Sequence, residues 1–352
     1  MTANAPACAL PELQAAVQQN CHIADALHAG NYTLCVYLLK MREFYRWERG
    51  LPFQHPLAND SVGEWLRERE NLWASLESAD FSPVRIGEAE FDPFDSAGIN
   101  AALEAHGLTY SGGIGAAGKP HFFLGRLHRQ HRHHDYIVYI ADREYARDLG
   151  APPAMAQGRT IWLRRESLKR FLWEKLEEWR WTRADNAMAR AIAGYDFPAD
   201  VEGALEAMTE AELDSALLHE IGEVEAGRRL GPDWEALLAE LPRSRLELLL
   251  RAVRDHLADS LTTLPALLDP ERGPSLHFWI ANLNGLRKTL WPGIETAYRA
   301  WLESGNIHAL AAAVEAGQRH WPALADDALR LYREQGLEAR EAITRLLEDN
   351  AL

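Results

Sequence analysis

Hydrophobic residues near the start of the chain recur at helical spacing. Leu13, Val17, Ala24 and Leu27 predict an amphipathic helix over residues 11–28. Residues 32–48 are apolar on nearly every side as far as Met41, which is typical of a buried helix. A third helix is predicted from Asp60 or Ser61, with Glu64 at capping-box distance. The first part of the chain is therefore predicted to be helical.

After about residue 84 the pattern changes to short runs of aromatic and β-branched residues, bounded by turn residues. Four of these runs predict strands: LTYS, HFFLGRLH, DYIVYIA and RTIWLR. Two of them flank a histidine-rich loop, residues 128–134, and predict a hairpin. A helix is predicted from Glu166 to about Trp181, and after Thr182 helical segments alternate with Gly, Pro and Asn punctuation.

These elements predict an α+β fold that is mainly α-helical. Residues 1–183 would form a mixed domain with a small antiparallel sheet, and residues 184–352 an all-helical bundle. The composition, 47% hydrophobic and 25% charged over 352 residues, is that of an ordinary globular protein.

Residues 1–10, the apolar stretches and the cysteines indicate the cellular compartment of the protein. Residues 1–10 contain neither a positive charge nor a long apolar run, so no secretory signal is predicted. The apolar stretches are shorter than the roughly 20 residues of a membrane span. Cys8, Cys21 and Cys35 lack metal-site spacing. We expect a cytoplasmic protein without a membrane partner.

The net charge of −15 is unevenly distributed along the chain. Lys+Arg against Asp+Glu is 20 to 23 through Thr182 and 17 to 29 afterwards, which gives −3 and −12. An acidic half repels polyanions, so nucleic acid is not expected as a general partner. The basic stretches 119–134 and 159–170, which include Arg164 and Arg165, are the segments that could hold an anion. The alternatives are a solvated surface and loose metal binding by His128, His131, His133 and His134.

The stretch SGGIGAAGKP, residues 111–120, contains both G-x-G-x-x-G and G-x-x-x-x-G-K. Nucleotide-binding glycine loops of these two types lead from a strand into a helix, whose N-terminus meets the phosphates. Here Lys119 is followed by a predicted strand, and Pro120 stands where a phosphate loop needs Ser or Thr. The glycines therefore predict a tight β connection and no nucleotide site.

One predicted helix, residues 210–231, carries the sequence H-E-I-G-E. On a helical wheel Glu220 falls within the apolar arc of Leu213, Ala216, Leu217, Ile221 and Val224. His219 and Glu223 lie on the adjoining shoulder, and Gly227 would allow another element to approach closely. A carboxylate on a buried stripe is costly unless it is paired, protonated or bound to a metal.

Three explanations of Glu220 follow: a buried ion pair or hydrogen-bonded carboxylate with Arg165, Arg254 or Arg287 as partner, a metal ligand, or a catalytic acid or base. H-E-x-x-E is related to the zincin motif H-E-x-x-H, and a helix with carboxylate and imidazole ligands also suits iron or manganese bundles. Asp25 and His28, an i,i+3 pair, are candidate further ligands. Asp255 and Asp259 lie opposite the apolar arc of their helix and are predicted to be solvated.

Two functional hypotheses follow. The first is a metal-binding helical protein, in its catalytic form a metal-assisted hydrolase, in which His219, Glu223, Asp25 and His28 bind a divalent Zn, Fe or Mn ion and Glu220 is the catalytic carboxylate. The second is a non-catalytic interaction protein that binds an anionic partner through the basic N-terminal β region.

The runs DALHAGNYTLCVYLLKMREFYRWE, FFLGRL, RRESLKRFLWEK and HEIGE together resemble an uncharacterised bacterial protein family of unknown function. The resemblance spans most of the chain. It implies a bacterial cytoplasmic protein and brings no catalytic residues with it.

Overall fold

The computed structural model describes residues 10–115, 118–242 and 244–352. The predicted absence of a secretory signal and the position of Cys8 fall on residues 1–9, outside the described residues. Residues 116 and 117, in the glycine-rich stretch, lie outside them as well. The chain forms two compact units, one ending at Trp173 and the other beginning at Glu174. The division falls inside a helix, whereas the sequence placed it after that helix.

The N-terminal unit consists of helices followed by strands. Its helices are α1 (Leu10–His28), α2 (Leu34–Glu48), α3 (Asn59–Ala74) and α4 (Ser96–Leu103), and α5 (Arg165–Thr182) spans the division between the units. Its strands are β1 (Val84–Ile86), β2 (Ala89–Phe91), β3 (Leu108–Ile114), β4 (Pro120–His133), β5 (Tyr136–Arg147), β6 (Ala154–Gln157) and β7 (Thr160–Arg164).

The strands form a two-stranded sheet, β1-β2, and a five-stranded sheet in the order β3-β4-β5-β7-β6. All pairs are antiparallel except β5 and β7, which are parallel. The larger sheet curls until its two edges meet. Gln157 on β6 donates its amide N–H to the carbonyl oxygen of Gly112 on β3, at 2.8 Å. A Cβ atom at Gly113 would lie 1.9 Å from that amide nitrogen, so the glycine run is needed for this edge contact.

The outer face of the curled sheet packs against α1. The helix contributes the positions that the periodicity predicted, and the strands contribute large apolar residues. The buried set includes Leu13, Val17, Cys21, Ala24, Tyr110, Phe122 and Leu124. Burying apolar surface stabilises a fold by about 25 cal/mol per Å², and this packing therefore holds α1 on the sheet.

Two local predictions are wrong. The first half of α2 is not buried, since Leu34 and Leu39 are 71% and 59% exposed and the helix packs only through residues such as Met41 and Phe44. The histidine-rich segment is not a loop: His128, His131 and His133 belong to β4, and only His134 lies in the turn. Most residues in this exposed part of the hairpin are polar, so the sequence lacks the alternation of apolar and polar residues by which a strand is recognised.

The C-terminal unit is helical. Beyond the end of α5 it comprises α6 (Ala187–Ala193), α7 (Val201–Leu230), α8 (Pro232–Ala239), α9 (Arg245–Ala258), α10 (Leu264–Leu267), α11 (Gly273–Ala281), α12 (Gly285–Leu290), α13 (Pro292–Ser304), α14 (His308–Gln335) and α15 (Arg340–Asp349). A π-helical turn, Asp259–Thr263, joins α9 to α10. One continuous core includes Trp234, Trp291 and Trp321, each fully buried.

The predicted class, mainly α-helical with a small sheet in the N-terminal half and a helical C-terminal half, is confirmed. Among the residues that the structure describes, none of the helices has both the length and the apolar character that crossing a bilayer requires.

Candidate functional site

Helix α7 carries the H-E-I-G-E segment near its C-terminal end. Asp200 caps the helix, its carboxylate accepting the N–H of Gly203 at 3.0 Å, and Gly231 ends it with a φ of 74°. Where α7 crosses α9, a Cβ at Gly222 would lie 2.5 Å from the carbonyl oxygen of Ala258. The close approach predicted for Gly227 is therefore made by Gly222, because no atom lies within 4 Å of a Cβ at Gly227.

At this crossing, charged side chains and one tryptophan from α7, α9, α11 and α12 come together in what we call the charge cluster. Its members are His219, Glu220 and Glu223 on α7, Arg254 and Asp255 on α9, Asp259 at the π-helical turn, Trp279 on α11 and Arg287 on α12.

His219 lies between two carboxylates. Its Nδ1 is 2.8 Å from Asp259 Oδ1, and its Nε2 is 3.4 Å from Glu223 Oε1. Burial opposes the charged imidazole, but Asp259 and Glu223 outweigh it and raise the pKa of His219 well above its ordinary value. His219 is therefore a cation at neutral pH with both ring N–H groups engaged.

Asp259 anchors the cluster. Its side chain is 1% exposed, and it accepts hydrogen bonds from Trp279 Nε1, at 3.0 Å, and from the guanidinium of Arg287. Burial alone would raise its pKa, but the two cations hold the pKa of Asp259 well below its usual range. The sequence predicted a solvated side chain here, which is wrong. Its polar neighbours come from α7, α11 and α12, and a wheel of one helix cannot show them.

Glu223 and Asp255 are two further carboxylates of the charge cluster. Arg254 Nη2 lies 3.5 Å from Glu223, and Arg254 Nη1 lies 3.6 Å from Glu235 on α8. Despite burial, His219 and Arg254 lower the pKa of Glu223. Asp255 is partly buried, and burial raises its pKa. Its predicted full solvation is therefore wrong as well.

Glu220 differs from the other carboxylates of the cluster. It is partly buried, and within the described part of the chain it forms neither an ion pair nor a hydrogen bond. Burial and the neighbouring Glu223 raise the pKa of Glu220 to about 7. Among the predicted partners, Arg254 pairs with Glu223 and Arg287 with Asp259. The ion-pair explanation of Glu220 has no support in the structure.

The other predicted ligands, Asp25 and His28, lie at the end of α1 in the N-terminal unit. Asp25 is fully buried, 3.4 Å from Lys119 Nζ, and accepts the N–H of Leu149 at 2.8 Å. Burial raises the pKa of Asp25, against the effect of Lys119. His28 contacts Asn31, at 3.4 Å, and its pKa is lowered by partial burial and by Lys119.

Lys119 and Asp148 form the rest of this second cluster, which the sequence did not indicate. Lys119 turns inward towards Asp25 and the ring of Tyr32, 5.4 Å from its centroid. Asp148 lies 3.1 Å from His121 Nδ1.

Among the described residues, no group of three or more His, Cys, Asp and Glu side chains is arranged to hold a metal ion. At His219 both ring nitrogens already face carboxylates, and Arg254 and Arg287 supply the positive charge that a metal would bring. Within the charge cluster, the negative charge of Glu223 and Asp259 is thus balanced by His219, Arg254 and Arg287. The metal site at His219, Glu223, Asp25 and His28 stays a prediction.

The basic N-terminal surface is smaller than predicted. Arg164 is fully buried, and its guanidinium forms two hydrogen bonds to Glu144, at 3.0 and 2.7 Å. It therefore cannot contact an external anion. Arg126 and Arg159 face Asp142 and Asp135. The exposed cations that remain on the β4–β5 hairpin include Arg129 and Arg132.

Comparison with known proteins gives one result. No curated protein and no solved structure matches the chain significantly. Family profiles match residues 12–164, as the N-terminal domain of a family of unknown function (DUF6866), and residues 169–350, as the C-terminal domain of the same family. The bacterial origin implied by the resemblance stays a prediction, whereas the resemblance to an uncharacterised family is confirmed: the chain belongs to this family of unknown function.

Proposed function

We propose that the protein is a hydrolase whose catalytic centre is the charge cluster of the C-terminal unit, with Glu220 as a metal-independent general base and acid. The observation that carries this proposal is Glu220 itself, a partly buried carboxyl group with a pKa of about 7 and no partner among the described residues. A general base or acid works best when its pKa lies near the working pH. Strongly perturbed carboxyl groups beside fixed charges are characteristic of active sites.

The other residues of the cluster have positioning and electrostatic roles. His219 is held between Asp259 and Glu223, so its charge is fixed beside Glu220. Arg254, 20% exposed, adds a second cation close to Glu220. Fixed positive charge stabilises an oxyanion that develops in a transition state, and does so more strongly where water is excluded.

The proposed step is hydrolysis at a carbonyl centre. Glu220, as the carboxylate, takes one proton from a water molecule while the water oxygen bonds to the carbonyl carbon. The carbonyl π electrons move to the oxygen, whose negative charge faces Arg254 and His219. When the intermediate collapses, the bond to the leaving group breaks and Glu220 returns its proton to that group.

The test uses tag-free protein and a panel of chromogenic esters and anilides. We expect a turnover that rises with pH through about 7, since Glu220 must be ionised to accept the proton, and a loss of about 100-fold or more in Glu220→Gln. Glu210→Gln, an exposed position on the same helix, is the matched control and should retain wild-type turnover. A Glu220→Gln rate equal to wild type would refute the proposal. So would a Glu220 carboxyl carbon that titrates below about pH 5 by NMR.

Elemental analysis of the same samples separates this proposal from the metal-assisted version. A metal at His219 would have to displace Glu223 or Asp259 from a ring nitrogen. About one metal per chain, lost in His219→Ala, would favour the metal-assisted hydrolase predicted from the sequence. Less than about a tenth of a metal per chain in active protein would favour the metal-free centre.

Anion binding by the β4–β5 hairpin is the second candidate. It is supported by Arg129 and Arg132, which are exposed and have no ion pair among the residues that the structure describes. In this form the protein would be a non-catalytic interaction module.

A further inference from the structure

The curled sheet contains a cleft whose lining shares no residue with the charge cluster or with the cluster around Lys119 and Asp25. Its volume is about 320 Å³, and it lies between α4 and the concave face of the sheet. That volume falls at the lower end of the range for small-molecule sites, about 300 to 1,000 Å³. The residues that matter for its chemistry are Asn100, Gln130, Tyr139, Gln157, Thr160 and Trp162.

Two aromatic rings form one wall. Tyr139 on β5 and Trp162 on β7 are direct neighbours in the parallel pair, and their rings are nearly parallel, with an interplanar angle of 12° and centroids 5.8 Å apart. Tyr139 is partly exposed and Trp162 is 2% exposed. A planar aromatic ligand can stack on such a surface, as nucleobases do on aromatic side chains.

The indole N–H of Trp162 is unsatisfied. Its Nε1 atom is buried and has no hydrogen-bond partner in the described part of the chain. A buried donor without an acceptor is unfavourable. The indole N–H groups of Trp234, Trp291 and Trp321 are also buried without a partner among the described residues, but of these four tryptophans only Trp162 lines the cleft. A ligand acceptor in the cleft would satisfy it. The hydroxyl group of Thr160 likewise makes no hydrogen bond to any residue that the structure describes.

The remaining polar groups hold the cleft open. The Asn100 amide donates to the carbonyl oxygens of Ser96 and Tyr110 and accepts from Thr109 and from the Tyr110 N–H, so all of its groups are engaged. The Gln157 amide is fixed to Gly112 across the sheet edges. These contacts fix Asn100 and Gln157 in place, and the Trp162 N–H and the Thr160 hydroxyl have no hydrogen-bond partner among the described residues.

We propose that this cleft binds a planar heteroaromatic small molecule of the nucleobase type, which stacks on Tyr139 and accepts a hydrogen bond from Trp162 Nε1 through a ring nitrogen or a ring carbonyl. The site takes a free base or base-like ring, not a nucleotide held by a phosphate loop. It lies entirely in the N-terminal unit and is independent of the hydrolase centre.

The test uses the full chain, with adenine, guanine, cytosine and uracil as probes, in saturation-transfer NMR and titration calorimetry. We expect at least one base to bind with a Kd below about 1 mM. Trp162→Phe, which keeps a ring and removes the N–H, should weaken binding about tenfold. Tyr139→Ala should weaken it further. Trp181→Phe, at an 88% exposed tryptophan, is the matched control and should bind as wild type.

Two results would overturn the proposal: no binding of any of the four bases at about 5 mM or at the solubility limit of the base, whether or not glucose binds, or unchanged binding in Trp162→Phe. A Trp162→Phe protein that fails to fold would be replaced by Thr160→Val, which removes the second free donor and should weaken binding severalfold. Wild-type affinity in Thr160→Val would then count against the site.

Discussion

At the residue scale, Glu220 is the side chain on which the proposed chemistry depends. The sequence identified it correctly as a carboxylate on a largely apolar helix face, because the wheel reports burial along one helix. A wheel of this one helix could not show which side chains of other helices lie near Glu220. The structure shows that two of the three arginines expected as partners are paired elsewhere, Arg254 with Glu223 and Arg287 with Asp259.

The pKa of Glu220 predicts a pH dependence of stability. A glutamate has a pKa of about 4.3 in an unfolded chain, and the folded value is about 7. At a pH below the pKa of the unfolded chain, Glu220 is protonated in both the folded and the unfolded state and does not change the free energy of unfolding. As the pH rises towards 7 the unfolded state ionises first, so the folded state loses stability.

Glu220→Gln should therefore raise the free energy of unfolding at about pH 8, by about 1 to 3 kcal/mol more than at about pH 4. Urea denaturation at the two pH values measures this difference. Glu210→Gln, whose side chain is exposed, should show the same small effect at both. An effect of Glu220→Gln that does not change with pH would mean that Glu220 titrates normally.

At the element scale, the charge cluster exists because α7 and α9 approach closely at Gly222. Thr262 strengthens the crossing by donating its hydroxyl hydrogen to the carbonyl oxygen of Leu218, at 2.6 Å. The π-helical turn follows α9 at this point, and such turns are often found at functional sites. The helical pattern predicted both helices but not the place where they cross.

Two glycines on α7 allow a matched test of this crossing. Gly222→Ala should lower the free energy of unfolding by about 1 to 3 kcal/mol, because its Cβ would meet the Ala258 carbonyl. Gly227→Ala, where the added Cβ has open space, should be neutral or stabilise by up to about 1 kcal/mol. Denaturant melts of both variants decide the matter. Equal effects would contradict the close approach at Gly222.

At the scale of the whole molecule, the two halves of the chain differ in charge and in architecture. The net charges are −3 through Thr182 and −12 afterwards. An anionic partner is therefore expected to bind the N-terminal unit, where the exposed Arg129 and Arg132 lie on a protruding hairpin strand.

Charge reversal tests that second candidate function. Arg129→Glu combined with Arg132→Glu should abolish binding to a single-stranded RNA oligonucleotide, measured by fluorescence anisotropy, and wild-type affinity should fall steeply with salt. Arg340→Glu combined with Arg345→Glu changes the net charge by the same amount on exposed positions of α15 and should leave binding intact. Salt-independent binding, or equal loss in both double variants, would argue against the hairpin.

From its periodicity alone, the sequence specified the mainly helical class, the four longer strands and the buried arcs of α1, α7 and α9. These properties depend on periodicity and turn chemistry, which are local. Only the tertiary structure decided that Asp259 is buried against His219, that Arg164 points inward to Glu144, and that Lys119 meets Asp25. The physical reason is that a charged side chain has no preferred face of its own: whether it meets water or an opposite charge depends on which distant segment packs against it.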